Sequence, residues 1–319
     1  MVTVPSLAEG EWEELGTMSR WLIASRFSVL LMTVMSAVLG GLLAARFAPF
    51  DPLAFGLCLA GLMLAHATNN LLNDYTDSRR GIDKDNYSRN QYGVHVLEDG
   101  LLTPSQLMRH IVLTGLAALL VGAWLIGLRG GMTAALMLSG AFFVLFYTWP
   151  LKYLGLGEPA VLLVWGPLMV GGTCYVVSGT WNEDVIWLGL LYALGPTAVL
   201  FGKHIDKLEF DAAKGVRTLP VLLGESLARR CVQAMLITQY LGCVLLVVTG
   251  REHWILLLVF LATPFLVRQL RNFSRTKPTQ RPQEFPENLW PLWFAPNAFA
   301  HTRRFTPLFL GALAIGTVL

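Results

Sequence analysis

The feature that most constrains this chain is a series of apolar segments, most of which approach the ~20 residues that a helix needs to cross a bilayer. Hydrophobic residues make up 54% of the sequence and charged residues only 14%, which excludes an ordinary soluble domain of this length. We therefore predict an all-α, polytopic membrane protein with about nine transmembrane helices around a central cavity. The predicted spans cover residues 22–46, 53–76, 105–128, 131–149, 158–178, 184–205, 227–249, 253–271 and 305–319.

The distribution of Lys and Arg predicts which ends of the helices face the cytoplasm. The amino-terminal segment and the even-numbered loops carry most of these residues, whereas the odd-numbered loops carry only Arg46, Arg129 and Arg251. By the positive-inside rule, the amino terminus and the two long polar loops that cap the cavity are cytoplasmic. We expect a single multi-pass domain over residues 1–319 in the inner membrane, with a short acidic cytoplasmic segment at residues 1–20.

A first polar cluster stands where the second predicted span ends. Carboxylates and amides at a membrane boundary are costly, so they usually indicate a functional site. Asn73 and Asp77 are four residues apart and share one face of a helix. Gly81 can end that helix in a left-handed turn, which would direct Asp83 back toward the same pocket. Several oxygen ligands on one rim suit Mg²⁺, particularly when a substrate phosphate completes the shell; the alternative is an ordinary polar helix end.

A second polar cluster follows the sixth predicted span. Its acidic residues are Asp206, Glu209 and Asp211, and basic residues follow them along the chain. Two acidic helix ends on one membrane face can hold a diphosphate through bridging metal ions, while Lys and Arg bind its outer oxygens. A hydrophobic tail of the same substrate could lie among the apolar helices. The residues by themselves thus indicate a membrane enzyme that acts on a lipid diphosphate.

Both clusters, and several segments between them, resemble the UbiA-type intramembrane prenyltransferases. Within that family they are most similar to the branch that prenylates 1,4-dihydroxy-2-naphthoate in menaquinone biosynthesis. Asn73, Asp77 and Asp83 match the first motif, and the six-residue step between the two aspartates resembles this branch more than the hydroxybenzoate branch. Further similar segments occur in the expected order at residues 100–104, 154–158, 166–176 and 215–224.

The resemblance implies an Mg²⁺-dependent enzyme that moves an isoprenoid chain from a polyprenyl diphosphate to an aromatic acceptor within membrane lipid. It implies two Mg²⁺ ions and no nucleic acid partner. The implied metal ligands are Asn73, Asp77, Asp83, Asp206, Glu209 and Asp211. The implied diphosphate-binding residues are Arg89, Lys207, Lys214 and Arg217. Tyr147 is a candidate for stabilising the allylic cation through its aromatic ring, and the candidates for positioning and deprotonating the acceptor are Tyr147, Lys152 and His204.

The chain departs from the family pattern at one position of the second motif. The family has an Asp eight residues before Gly215, where this chain has Lys207. Asp206 stands next to it but points about 100° away on a regular helix. Four alternatives remain open: the helix is distorted here, Glu209 and Asp211 hold the second metal, Lys207 binds phosphate directly, or activity is lost.

Other functions agree less well with the sequence. A transporter or channel would place ionisable or Gly- and Pro-broken sites near the centres of its spans, whereas the acids of this chain lie at span ends. A weakly active relative that serves as a partner in a membrane complex remains possible because of Lys207. Within the enzyme class, another aromatic, a quinone precursor or a polar lipid headgroup could be the acceptor.

Overall fold

The computed structural model describes residues 10–84 and 93–319, which form helices and connecting loops and contain no strand. The all-helical prediction is therefore confirmed for this part of the chain. In chain order the helices are α1 (Glu11–Glu14), α2 (Thr17–Ala24), α3 (Phe27–Ala44), α4 (Pro52–Arg79), α5 (Pro104–Arg129), α6 (Gly131–Phe146), α7 (Gly157–Ser178), α8 (Glu183–Asp206), α9 (Leu208–Ala213), α10 (Leu219–Leu223), α11 (Glu225–Val248), α12 (Trp254–Ser274) and α13 (Phe294–Val318).

Seven of these helices are long and apolar enough to cross a membrane, namely α3, α4, α5, α7, α8, α11 and α12. The protein is therefore a multi-pass membrane protein, but the predicted count of nine spans is not confirmed. The first predicted span is divided into α2 and α3, which are separated at Ser25 and Arg26. The last begins at Phe294, earlier than the sequence predicted, because the polar residues in its first half do not stop the helix.

Local sequence signals set the starts of two long helices. Helix α4 begins after Asp51, whose side chain accepts a hydrogen bond from the Ala54 amide at 3.0 Å. Helix α5 begins after Thr103, which forms a capping box with Gln106. Both helices have Pro at the first position, where the missing amide proton is not needed. Capping therefore fixes the entry into the two helices that flank the first polar loop.

Helix α8 lies at the centre of the largest group of buried residues, to which Leu188, Tyr192 and Phe201 contribute. Small residues allow its neighbours to approach closely. A Cβ atom on Gly202 would lie 2.7 Å from the backbone of Phe294, at the start of α13. Close backbone contact at small residues is typical of helix packing in membranes. This contact brings the beginning of α13 against the end of α8, beside the second polar cluster.

Candidate active site

The first polar cluster forms a turn that returns the chain to the end of α4. Gly81 adopts a φ of +66°, and the Ile82 amide donates to the Asp77 carbonyl at 2.9 Å, as in a Schellman motif. Asp83 therefore lies near Asn73 and Asp77, as the sequence predicted. The side chains that line the resulting pocket are Arg26, Asn73, Asp77, Asp83, Tyr147, Lys152, Lys203, His204 and Lys207.

Two oxygen atoms of this pocket are buried without a hydrogen-bond partner among the described residues: Oδ1 of Asn73 and Oδ1 of Asp77. The other oxygen of Asp77 accepts a hydrogen bond from Lys152 Nζ at 2.7 Å. Asp83 Oδ2 lies 2.9 Å from Nε2 of the buried His95. Unsatisfied buried oxygens are costly, whereas Mg²⁺ binds such hard oxygen ligands. Asn73, Asp77 and Asp83 therefore fit a divalent cation.

The second polar cluster repeats this turn at the end of α9. Gly215 adopts a φ of +73°, and the Val216 amide donates to the Asp211 carbonyl at 2.8 Å. The Asp211 carboxylate is fully buried and forms no hydrogen bond within the described chain. Lys207 Nζ lies 3.4 Å from its Oδ1. The two clusters also touch, because Lys214 Nζ donates to the Gly81 carbonyl at 3.0 Å.

Three residues that we predicted as metal ligands lie outside the pocket lining, namely Asp206, Glu209 and Asp211. Asp206 accepts hydrogen bonds of 2.9–3.0 Å from three backbone amides at the start of α13. A carboxylate is favourable there because the amides are otherwise unpaired and the helix dipole is positive. Helix α8 ends at Asp206, and the backbone is distorted at Lys207, with φ −108° and ψ 9°. This distortion was one of the four alternatives, but it directs the Asp206 carboxylate to the amides at the start of α13. Glu209 is exposed on α9 and does not line the pocket, so the structure does not bring it together with the other predicted ligands.

The predicted diphosphate-binding residues are divided by the fold. Lys207 is buried and lines the pocket. Lys214 and Arg217 are exposed, and Lys214 uses its ammonium group to join the two loops. Arg89 lies outside the described residues. Among the three of these basic residues that the structure describes, the geometry thus favours Lys207 most strongly.

Lys152 and Tyr147 come from the connection between α6 and α7. Burial lowers the pKa of the Lys152 ammonium, but the charges of Asp77 and Asp211 and the hydrogen bond to Asp77 outweigh this and raise the pKa overall. Burial, together with the Glu158 charge, raises the pKa of the Tyr147 phenol. The raised pKa favours the ammonium form of Lys152 near both acids and the neutral phenol of Tyr147, and the role of Lys152 in deprotonating the acceptor stays a prediction.

No sequence signal marks Arg26, which stands between α2 and α3, as a residue of the site. Its backbone is left-handed, with a φ of 57°, a conformation that is costly for a residue with a side chain. Its guanidinium forms an ion pair with Asp74 and lines the pocket. Ligand atoms of Asp74, Asp83 and His95 lie within 4.8 Å of one another. A strained backbone conformation, such as the left-handed φ of Arg26, is typical of functional sites.

The pocket-lining residue His204 is paired with the buried carboxylate of Glu158. His204 Nδ1 lies 2.5 Å from Glu158 Oε1, and Glu158 Oε2 accepts from the Leu219 amide at 3.3 Å. Glu158 thereby links α7, α8 and α10. His204 is one of the three residues predicted to lie near the acceptor, and it lines the pocket.

Comparison with known proteins identifies relatives along most of the chain. The profile of the UbiA prenyltransferase family matches residues 33–293. The 1,4-dihydroxy-2-naphthoate octaprenyltransferase of Escherichia coli (strain K12) is 29% identical over 276 residues, which are 82% of this chain and 87% of that protein. The 2-carboxy-1,4-naphthoquinone phytyltransferase of Synechocystis is 27% identical over 226 residues, 69% of this chain and 71% of that protein.

Solved structures share the fold at low sequence identity. A UbiA homologue from Aeropyrum pernix K1 superposes with a TM-score of 0.66 at 17% identity, covering 92% of this chain and 98% of the homologue. A UbiA homologue from Archaeoglobus fulgidus, bound to GPP and Mg²⁺, gives a TM-score of 0.60 at 12% identity, covering 91% and 99%. The family match extends over most of the sequence, and this protein therefore belongs to the UbiA prenyltransferase family.

Proposed function

We propose that this membrane prenyltransferase moves an isoprenoid chain from a polyprenyl diphosphate to 1,4-dihydroxy-2-naphthoate. The six-residue step between Asp77 and Asp83 supports this acceptor, as do relatives named for naphthoate prenylation. The Archaeoglobus fulgidus homologue was solved with GPP and Mg²⁺, which supports a prenyl diphosphate as donor. The positive-inside rule further supports placing the pocket on the cytoplasmic side of the inner membrane.

The observation that carries the proposal is that one pocket is lined by Asn73, Asp77 and Asp83 of the first cluster and by Lys207 of the second, whose ammonium group lies beside Asp211. Asp77 forms an ion pair with Lys152 at 2.7 Å, and the charge of Asp211 also acts on that lysine. Lys214 bonds directly to the carbonyl of Gly81. A diphosphate group placed here would meet the carboxylates of the first cluster and the Lys207 ammonium group of the second.

Each side chain has a role that follows from its charge and position. Asn73, Asp77 and Asp83 would hold Mg²⁺, which would supply positive charge where the leaving diphosphate becomes negative. Arg26, Lys203 and Lys207 lie in the same lining and would bind phosphate oxygens through charge-assisted hydrogen bonds.

Tyr147 is the aromatic residue of the pocket lining. When the C–O bond of the donor breaks, its electron pair leaves with the diphosphate and positive charge develops on the allylic carbon. A neutral phenol ring can stabilise that carbon by cation–π attraction, worth about 2 kcal/mol when water is excluded. The raised pKa of Tyr147 keeps the ring in this neutral form.

The proposal is tested by mass spectrometry of the products made by the purified full chain. The protein receives prenyl diphosphates of several lengths and a mixture of 1,4-dihydroxy-2-naphthoate, 4-hydroxybenzoate and a polar lipid headgroup, with Mg²⁺ or with a chelator. We expect a prenylated naphthoate that forms only with Mg²⁺. A product on another acceptor would replace the naphthoate proposal while keeping the reaction class.

One observation favours a second function. Lys207 stands beside Asp211 at 3.4 Å, where the family pattern has an acid, so a weakly active relative acting in a membrane complex is the alternative. Absence of product with every acceptor, combined with binding of pyrophosphate, would support this alternative over the enzyme.

A further inference from the structure

The two polar clusters share one backbone motif, so their positions can be matched residue by residue. In each, an Asp stands four residues before a left-handed Gly, at Asp77 and Gly81 and at Asp211 and Gly215. In each, the amide after that Gly donates to the carbonyl of the Asp, at 2.9 Å and 2.8 Å. The residue four positions before the Asp is Asn73 in the first cluster and Lys207 in the second, so these two are counterparts.

The two counterparts have opposite chemistry. Asn73 presents a buried carboxamide oxygen without a hydrogen-bond partner in the described chain, which is a potential metal ligand. An ammonium group has three donors and no acceptor, so Lys207 cannot be one. Its Nζ lies 3.4 Å from Asp211 Oδ1 and 5.7 Å from the centre of the Phe210 ring. Acid and aromatic ring together hold this cation in the pocket wall.

Neighbouring acids do not restore the missing ligand. Both oxygens of Asp206 accept backbone hydrogen bonds from α13, and Glu209 is exposed. Both oxygens of the Asp211 carboxylate are buried without a hydrogen-bond partner among the described residues, but a divalent ion at the second cluster would meet only this one carboxylate, with the Lys207 ammonium group beside it. Mg²⁺ requires near-octahedral oxygen coordination; the first cluster offers it three oxygen-bearing side chains and the second cluster only one, so the second cluster does not fit a metal ion.

We propose that this protein binds its diphosphate substrate with a single divalent ion at the Asn73–Asp77–Asp83 cluster, and that Lys207 supplies the positive charge of the second cluster. Asp211 then orients Lys207 instead of coordinating a metal, and the Lys207 ammonium binds phosphate oxygens directly, as a point charge. This inference rests on the proposed function, because it concerns the same diphosphate site.

The inference is tested by counting bound Mn²⁺ with electron paramagnetic resonance. The full chain is purified in detergent and titrated with Mn²⁺ in the presence of inorganic pyrophosphate, which cannot react. We expect one Mn²⁺ per chain in the wild type and in Asp211→Asn, and none in Asp77→Asn. Lys207→Asp recreates an acid four residues before Asp211, so we expect two ions there, with magnetic coupling between them.

Two Mn²⁺ ions in the wild type, with one lost in Asp211→Asn, would overturn the inference and leave the proposed function intact. A single Mn²⁺ ion in the folded Lys207→Asp variant would also overturn the inference. It would mean that Lys207 is not the residue that prevents a second ion from binding. Failure of the wild type to bind either Mn²⁺ or pyrophosphate would overturn the proposed function together with the inference. The wild type and Asp211→Asn decide the question even if Lys207→Asp does not fold.

Pyrophosphate affinity provides a second readout that does not depend on the ion count. With Mn²⁺ saturating, we expect Lys207→Met to weaken pyrophosphate binding by about ten- to hundredfold, the effect of losing a hydrogen bond to a charged group. Lys277→Met is the matched control, since Lys277 packs over Trp290 at 5.2 Å and does not line the pocket. Equal affinity in the wild type and Lys207→Met would contradict a phosphate-binding role for Lys207.

Discussion

Helix α3 has an arginine just beyond each end, and the two are used differently. At its carboxyl end, Arg46 binds both oxygens of Glu252, at 2.7 and 3.0 Å, and Thr317 at 3.0 Å. At its amino end, Arg26 pairs with Asp74 in a pocket where buried oxygens of Asn73 and Asp77 lack hydrogen-bond partners in the described chain. A network whose oxygens are all satisfied stabilises a fold, whereas one with unsatisfied oxygens is suited to bind a ligand.

The largest expected effect is on prenyl transfer, when a charge is removed from the pocket at the amino end of α3. Asp77→Asn keeps the shape of the side chain but removes the carboxylate that pairs with Lys152 and fits a metal ion. We expect prenyl transfer to fall by about 100- to 1000-fold, the scale for loss of one preorganised electrostatic group. Product formation is measured by mass spectrometry, and folding is checked by thermal unfolding in detergent. Turnover at the wild-type rate would refute the metal-binding role of Asp77.

The sequence could predict the first polar cluster because its geometry is local. The helical spacing of Asn73 and Asp77 fixes their shared face, and Gly81 permits the left-handed turn that returns Asp83. Asp206 could not be placed in this way. The amides that it caps begin at Trp293, 87 residues further along the chain, and nothing in the second motif indicates that α13 approaches there.

The position of Arg26 was also beyond sequence analysis. No Gly or Asn marks its left-handed backbone, and an apolar pattern continues on both sides, so residues 22–46 read as one helix. The break at Ser25 and Arg26 depends on tertiary contacts, such as the hydrogen bond from Asn70 Nδ2 to the Ser25 carbonyl at 2.9 Å. Contacts of this kind override local helix preference.

Substitutions of Lys152 test whether prenyl transfer depends on this residue as a fixed positive charge or as a group that titrates. We expect Lys152→Gln to lower transfer by about ten- to hundredfold, because a hydrogen-bonded charge near the diphosphate is lost, and Lys152→Arg to retain more activity. The pKa of Lys152 is raised by Asp77 and Asp211 despite burial. The charged Lys152 side chain therefore contributes fully to the free energy of unfolding below the ordinary lysine pKa of about 10.4. This contribution is lost only as the pH rises through the higher pKa that Lys152 has in the folded state.

The pH profile between pH 7 and pH 9 should consequently contain no step from Lys152. The measurement is kcat/KM for prenyl transfer in the wild type and both variants across this range. A rate that rises with pH in the wild type and becomes flat in Lys152→Gln would instead identify Lys152 as a base that accepts a proton.

At the other end of α3, the effect should be on stability alone. Glu252→Gln removes the charge that both terminal nitrogens of Arg46 contact, and Glu252 is almost fully buried. We expect the free energy of unfolding to fall by roughly 1.5–3 kcal/mol, the scale of hydrogen bonds to a charged group. The fall is no larger because Arg46 is partly exposed and water can solvate its charge. Thermal unfolding in detergent measures this loss, and product formation below the unfolding temperature should match the wild type. Reduced transfer by the folded variant would show that the two ends are coupled.

The smallest effect separates the backbone strain of Arg26 from its charge. Arg26→Gly and Arg26→Ala both remove the guanidinium, so we expect pyrophosphate binding to weaken equally in both. Gly tolerates a φ of 57°, whereas Ala pays about 1–2 kcal/mol for a left-handed backbone, partly offset by the greater freedom of an unfolded Gly. Arg26→Gly should therefore be more stable than Arg26→Ala by about 1 kcal/mol in thermal unfolding. Equal stability would mean that the chain relaxes at this junction, and the strain would then be a consequence of the Arg26–Asp74 ion pair rather than a property of the α2–α3 connection.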